Sequence, residues 1–220
     1  MLERGLIVSC QARGENPLTG SGFMTAMAQA AEMGGAVAVR AEGADDIRAI
    51  KEKVELPIVG LWKLELPDFE PYITPTLESA RAVAEAGADI VALDATLRPH
   101  PEGTMQVFLK KVKNTLGVPV FADVATLQEG VAAAEAGADY LSTTLSGYTP
   151  YTQKTDEPDF KLLGDLVQNV TVPVIAEGRF WTPGQVEKAF ALGAHAVVIG
   201  TAITDPTSIT RRFVAAVQLA

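Results

Sequence analysis

One short phrase returns four times in this chain, each time running into an apolar strand. It reads AEMGGAVAVR at residues 31–40, AEAGADIVALD at 84–94, AEAGADYLSTT at 134–144 and FALGAHAVVIG at 190–200. The glycines Gly34, Gly87, Gly137 and Gly193 lie about fifty residues apart, a period that marks a repeated architectural unit. A second phrase alternates with the first: LPIVGLWK (56–63), VPVFADV (118–124) and VPVIAEG (172–178). Each unit holds the end of a helix, a glycine turn, a strand, a further helix and a further strand. Four units make eight strands and eight helices, the count of a (β/α)8 barrel, in which function gathers where the strands end.

The strands read as short continuous runs rich in Val and Ile, the pattern of strands buried on both faces of a parallel sheet. They are predicted near 6–10, 36–40, 57–62, 90–94, 118–123, 140–144, 172–176 and 196–200. Between them, Thr126-Leu127-Gln128-Glu129 and Thr182-Pro183-Gly184-Gln185 read as capping boxes, and Asp205-Pro206 as another helix start. The four repeat glycines are expected in left-handed positions just past helix ends. Two stretches, 64–75 and 145–158, exceed ordinary βα loops and are candidates for substrate contacts or a lid. No linker or charge run divides the 220 residues, so one barrel domain over 1–220 is expected.

Composition narrows the function. The longest apolar runs are too short for a membrane span, and MLERGLIVSC does not read as a secretory signal. A single cysteine, Cys10, suits a reducing cytoplasm and has no assigned role. A net charge of −9 argues against nucleic acid as a partner. An anionic substrate would need local positive potential against that overall field. With only His100, expected in a solvated loop, and His195, expected on the face away from chemistry, a His-based metal site is not indicated. Trp62 and Trp181 read as packing residues.

The strand ends carry the chemistry. In order they give Gln11, Arg40, Lys63, Asp94, Asp123, Thr143 with Thr144, Glu177, and Gly200 with Thr201. At any single position a solvated loop start or an ion pair is an equal alternative, but polar groups after nearly every apolar run are costly to bury without a use. Lys63 ends the run PIVGLW, where Arg40 and partial burial would lower its pKa and free the amine as a base. Glu177 could act as a second acid/base or hold Lys63. Asp94 and Asp123 could orient neighbours. Gly178-Arg179 and Gly200-Thr201, at the ends of strands 7 and 8, have the placement of a phosphate site.

In these segments the chain resembles the N-acetylmannosamine-6-phosphate 2-epimerase family. The resemblance rests on GLIVSCQA (5–12), AVAVRAEG (36–43), Lys63 with ITPT (73–76), ADIVALDAT (88–96), TTLSGYT (143–149), VIAEGR (174–179) and IGTAIT (199–204), in family order. It implies inversion at C2 of an N-acetylhexosamine 6-phosphate, with Lys63 and Glu177 catalytic and Gln11, Arg40 and Asp123 around the substrate. It also implies an enzyme without cofactor or metal, commonly a homodimer. Thr144, Gly178, Arg179, Gly200 and Thr201 complete the expected binding set. The chain departs from the family pattern at Asp205, where AITR is common, and at LELPDF (64–69), where the family is basic. Two readings stand beside this one: a Schiff-base lyase using Lys63, and a sugar-phosphate-binding barrel without turnover.

Overall fold

The computed structural model describes residues 2–217. Eight parallel strands close on themselves in sequence order, β1 pairing with β2 on one side and β8 on the other. They are β1 (Gly5–Cys10), β2 (Ala38–Glu42), β3 (Ile58–Leu61), β4 (Ile90–Asp94), β5 (Val120–Asp123), β6 (Tyr140–Ser142), β7 (Val174–Glu177) and β8 (Ala196–Ile199). The predicted order and number of strands are all present, with ends displaced by one or two residues. The departures that bear on the strand ends are at β2, which runs on to Glu42, and at β6, where Thr143–Leu145 leave the sheet as a 3₁₀ turn.

The helices between them are α1 (Ser21–Met33), α2 (Ala44–Lys51), α3 (Leu77–Glu85), α4 (Met105–Leu116), α5 (Leu127–Glu135), α6 (Phe160–Asn169) and α7 (Pro183–Ala191); a four-residue α8 (Thr201–Thr204) and a terminal α9 (Pro206–Val217) follow β8. Apolar side chains form two layers. Ile7, Val59, Leu61, Phe121, Ile175 and Val198 fill the barrel interior. Val8, Val39, Ile58, Val91, Leu141 and Val197 pack outward against the helices. Alternate residues of one strand thus serve both layers, which is why the strands are apolar throughout.

The local signals are met with two exceptions. The Thr182–Gln185 capping box is complete. At Thr126 only half of it forms, because the Glu129 carboxylate turns to the Ala125 and Leu97 amides instead. Gly87, Gly137 and Gly193 have φ between +98° and +106°. In the first repeat the left-handed residue is Gly35 (φ +85°), while Gly34 stays in the helical region. The second glycine, present only in that repeat, takes the strain-free position.

Candidate active site

At the C-terminal ends of the strands lies a cavity of about 430 Å³, within the range that holds small ligands. Gln11, Arg40, Lys63, Thr144, Glu177, Gly178, Arg179, Gly200 and Thr201 all border it. Nine of the ten expected catalytic and substrate-binding residues thus meet around one cavity. The tenth, Asp123, does not border it and takes the other role expected of it, orienting a neighbour. It is fully buried behind Arg40, so it holds a side chain that faces the cavity without facing it itself.

Arg40 is the hub. Its side chain is 1% exposed, and its Nη1 donates to Asp123 Oδ1 at 2.9 Å and to Glu177 Oε2 at 2.6 Å, while Nη2 donates to Asp123 Oδ2. The ring of Phe121 lies beneath the guanidinium, 5.1 Å away. Burial opposes the charge of Arg40, but the two carboxylates outweigh it and hold the group protonated. The Thr144 hydroxyl lies 2.6 Å from Asp123 Oδ1 and 3.0 Å from Glu177 Oε2, and so ties the two acids together. Thr143 accepts from the Glu177 amide and donates to its carbonyl, both at 2.9 Å, which fixes the backbone under that carboxylate. The 3₁₀ turn after β6 is what aims both threonines at β7.

Glu177 is pushed above the ordinary carboxylate range, first by burial and further by Asp123, with Arg40 opposing. Lys63 moves the other way. Burial lowers it below 10.5, Glu42 opposes that, and Arg40 and Arg13 add to it. The expected crowding by Arg40 is present; of the two roles open to Glu177, holding Lys63 is not seen, because Lys63 is held elsewhere. Lys63 Nζ donates to Gln11 Oε1 at 2.7 Å and lies 3.4 Å from Glu42 Oε2. Gln11 is held in turn by Ser9 Oγ, 2.8 Å from its Nε2. Glu42 escaped the strand-end reading because β2 was expected to stop at Arg40. A signal was there: Ala-Glu-Gly occurs at 41–43 and again at 176–178, ending β2 and β7 with a left-handed glycine each time.

Beyond β7 and β8 the backbone turns sharply. Gly178 and Arg179 take positive φ in succession, +107° and +62°. Gly200 begins α8 so close to β1 that a Cβ there would lie 3.2 Å from that of Ser9. The Arg179 guanidinium is turned into the 145–158 loop, donating to the carbonyls of Ser146 (2.7 Å) and Glu157 (2.8 Å). The two long loops supply Tyr72, Ile73 and Tyr148 to the cavity wall, and burial pushes the Tyr72 phenol up. Trp181 also lines the cavity, with the Arg212 guanidinium over its ring at 4.6 Å, so its role is not packing alone. Trp62 is half-buried against the core.

His100 is a correction. It is 2% exposed and stacks on Phe108 at 4.5 Å, because the turn joining His100 to Gly103 folds inward over α4. His195 lies at the other end of the barrel, Nε2 2.9 Å from the Leu2 carbonyl. Cys10 is buried, and burial pushes its thiol up to about 12. Among the described residues no three His, Cys, Asp or Glu side chains converge as a metal cluster would.

The family model described as "Putative N-acetylmannosamine-6-phosphate epimerase" (NanE) matches residues 24–219. The chain belongs to this family. A relative from Caldanaerobacter subterraneus subsp. tengcongensis, named for the same 2-epimerase, is 53% identical over 215 residues, covering 97% of this chain and 91% of its own. One from Cutibacterium acnes is 51% identical over 212 residues, covering 95% and 92%. A solved structure of the N-acetylmannosamine-6-phosphate 2-epimerase from Clostridium perfringens matches with a TM-score of 0.94 at 44% identity, over 98% of this chain and 94% of that one. Thiamine phosphate pyrophosphorylase from Pyrococcus furiosus, at 17% identity and a TM-score of 0.61, shares the fold alone.

Proposed function

We propose that the protein interconverts N-acetylmannosamine 6-phosphate and N-acetylglucosamine 6-phosphate by inversion at C2, as an N-acylglucosamine-6-phosphate 2-epimerase of amino-sugar catabolism. The observation that carries this reading is a pair of cavity groups displaced toward each other: a lysine lowered by burial and a glutamate raised by it. Such a pair makes the amine the readier base and the carboxyl the readier acid. Family membership does not favour the lyase or the non-catalytic barrel.

The C2 hydrogen is acidic only when C1 is an open-chain aldehyde, so ring opening precedes proton transfer. Neutral Lys63 then takes the C2 proton. Charge developing on the C1 oxygen is met by the Glu177 carboxyl and the Arg40 guanidinium behind it. Glu177, as the acid/base partner, delivers a proton to the other face, which inverts the centre. Lys63 passes the proton it took to solvent and Glu177 regains one, so both groups are reset. The phosphate rests on the turns at Gly178-Arg179 and Gly200-Thr201, where glycine lets main-chain N–H groups approach. With its guanidinium engaged by loop carbonyls, Arg179 shapes that end of the cavity as well as charging it. The phosphate then acts as a remote anchor that holds C2 against Lys63.

The test is proton NMR of N-acetylmannosamine 6-phosphate in D₂O. Deuterium should enter C2 as conversion proceeds, with or without EDTA. Complete conversion with the original hydrogen retained would remove exchangeable-base chemistry. The base is the neutral amine, which accumulates as pH rises, so kcat/KM should climb through a limb below the 10.5 of an unperturbed lysine. Unphosphorylated N-acetylmannosamine should be a poor substrate; equal kcat/KM would displace the phosphate site.

The proposal includes a homodimer. α9 buries none of its side chains, and leaves Phe213 71% and Val217 76% exposed. An apolar helix face of that kind on a barrel marks an association surface, and a second copy of the chain is its occupant. Light scattering should give twice 23.2 kDa, and Phe213→Glu should shift it to the single mass. No helix among the described residues is long and apolar enough to cross a membrane; a cytoplasmic location is part of the same proposal.

A further inference from the structure

We propose that Glu42 is a positioning residue for Lys63, fixing which one of its protons is exchangeable with the substrate. The inference rests on the epimerase reading and adds a residue to it. Glu42 ends β2, one side chain beyond the barrel hub, and is 9% exposed. Its Oε1 is 3.1 Å from Arg13 Nε. Its Oε2 is buried, has no hydrogen-bond partner among the described residues, and lies 3.4 Å from Lys63 Nζ. A buried carboxylate oxygen left open is costly, and among the described residues the cation that faces this oxygen is the amine that the reaction uses. Arg13 also donates to the Lys63 carbonyl at 3.1 Å. One arginine of the β1–α1 loop therefore ties the carboxylate to the main chain of the residue it faces.

A count of protons gives the consequence. A neutral amine has two N–H donors and one lone pair; an ammonium has three donors. Gln11 Oε1 accepts one donor at 2.7 Å, and Glu42 Oε2 is placed for the second. The remaining position points into the cavity. It is a lone pair when Lys63 is the base and an N–H when Lys63 is the acid. With both acceptors in place, proton transfer at C2 runs through that one cavity-facing position, which exchanges with solvent, and the amine cannot rotate to offer another. The 3.4 Å contact is loose for the neutral amine and shortens when the ammonium forms.

The charged groups around Lys63 come from three elements: Arg13 on the β1–α1 loop, Arg40 and Glu42 on β2, and Glu177 on β7. Removing the Glu42 charge leaves two cations facing the amine and lowers the affinity of Lys63 for its proton. Removing Arg13 does the reverse, since it takes away a cation and releases the carboxylate wholly to Lys63. The opposite signs distinguish this role from general loosening of the site.

The experiment uses the whole protein in two assays. Acylation of Lys63 by acetic anhydride, followed by peptide mass spectrometry across pH, reports its titration without substrate. Turnover of N-acetylmannosamine 6-phosphate across pH reports the reaction. In Glu42→Gln the acylation midpoint should fall by roughly one pH unit, as for the loss of one opposite charge at this distance. The kcat/KM limb should follow it. At the wild-type optimum, kcat should drop roughly 10–10²-fold with KM within about twofold, the signature of misdirected chemistry rather than lost binding. Glu42→Asp should recover part of both. Arg13→Ala, on an exposed side chain, should move the midpoint upward even if Glu42→Gln does not fold. Midpoints unchanged in the folded variants overturn the inference. A shifted midpoint in a protein whose wild type does not turn over the sugar phosphate upholds Glu42 and sinks the epimerase reading instead.

Discussion

The two ends of the same barrel strands handle charge in opposite ways. At the N-terminal end, the Gly-Ala-Asp of two repeats builds the same clasp twice. Asp89 pairs with Lys51 at 2.9 Å and accepts the Ile58 amide at 2.8 Å; Asp139 pairs with Lys113 at 2.9 Å and accepts the Val120 amide at 2.8 Å. Each carboxylate has one cation and one strand-start amide, and all four side chains are a third or more exposed. At the C-terminal end one buried guanidinium serves two carboxylates, and a lysine is held between cations and a single partly engaged acid. The first arrangement satisfies every group and ends the strands tidily. The second leaves Arg40 Nε and Glu42 Oε2 unpaired among the described residues and displaces the titration of Lys63 and Glu177. Stability accounts for the bottom of the barrel; the mouth fits the proposed chemistry.

The comparison breaks most directly with one lysine from each end. Lys63→Ala should lose roughly 10²–10⁴ in kcat, the range for a positioned acid or base, while the melting temperature holds. Lys51→Ala should leave kcat unchanged and cost about 1 kcal/mol or less, as for exposed pairs. Steady-state kinetics and thermal melts on both variants decide it. Near wild-type turnover in Lys63→Ala, or a kinetic defect in Lys51→Ala, would erase the distinction between the ends. Glu177→Ala should also lose most of kcat, with its amide still held by Thr143.

Stability should separate the ends in the other direction. Arg40→Met strands Asp123 and Glu177 without their cation in a buried site, a loss of about 3–5 kcal/mol in denaturant melts. Lys113→Met, at the exposed clasp, should cost about 0–1 kcal/mol. If the two costs were equal, the hub would be an ordinary ion pair and its claim to be functional would fail.

How much of this was legible follows from what each signal measures. The barrel was readable because its repeat is a property of the chain: a glycine that must turn and a strand that must be apolar recur at one spacing. Lys63 and Glu177 were readable because each interrupts an apolar run. The partnership between them was not readable, since which acid faces which base depends on barrel tilt and strand register, and register gave Lys63 to Glu42. Asp123 shows the same limit, because adjacency along the strand says nothing about which side of Arg40 it occupies. His100 was misplaced because Pro, His and Glu in sequence signal solvent, while burial came from Phe108, reached through a turn. Thr143 and Thr144 became intelligible only when β6 was seen to end in a 3₁₀ turn.

The smallest effect concerns Asp205, the departure from the family pattern. It lies on the cavity wall, where a free carboxylate would repel a phosphate dianion. Both its oxygens are turned away: Oδ1 accepts the Ser208 amide at 3.1 Å and Oδ2 the Ser208 hydroxyl at 2.6 Å. These bonds, that of the hydroxyl first, hold its carboxyl below 3.8, as expected for a helix cap. Asp205→Ala should therefore cost about 1 kcal/mol at neutral pH. A depressed carboxyl stabilises the fold above its unfolded pKa, so the charge-dependent part of that cost should fade as pH falls below 3.8. Asp205→Asn should keep both the cap and the activity. Asp205→Arg should exchange the cap for a lower KM, by adding positive charge where Arg212 is already stacked on Trp181. Loss of turnover in Asp205→Asn with an unchanged melting temperature would make the carboxylate part of the chemistry. The boundary between the two kinds of charge would then have to be redrawn through α8 rather than at the strand ends.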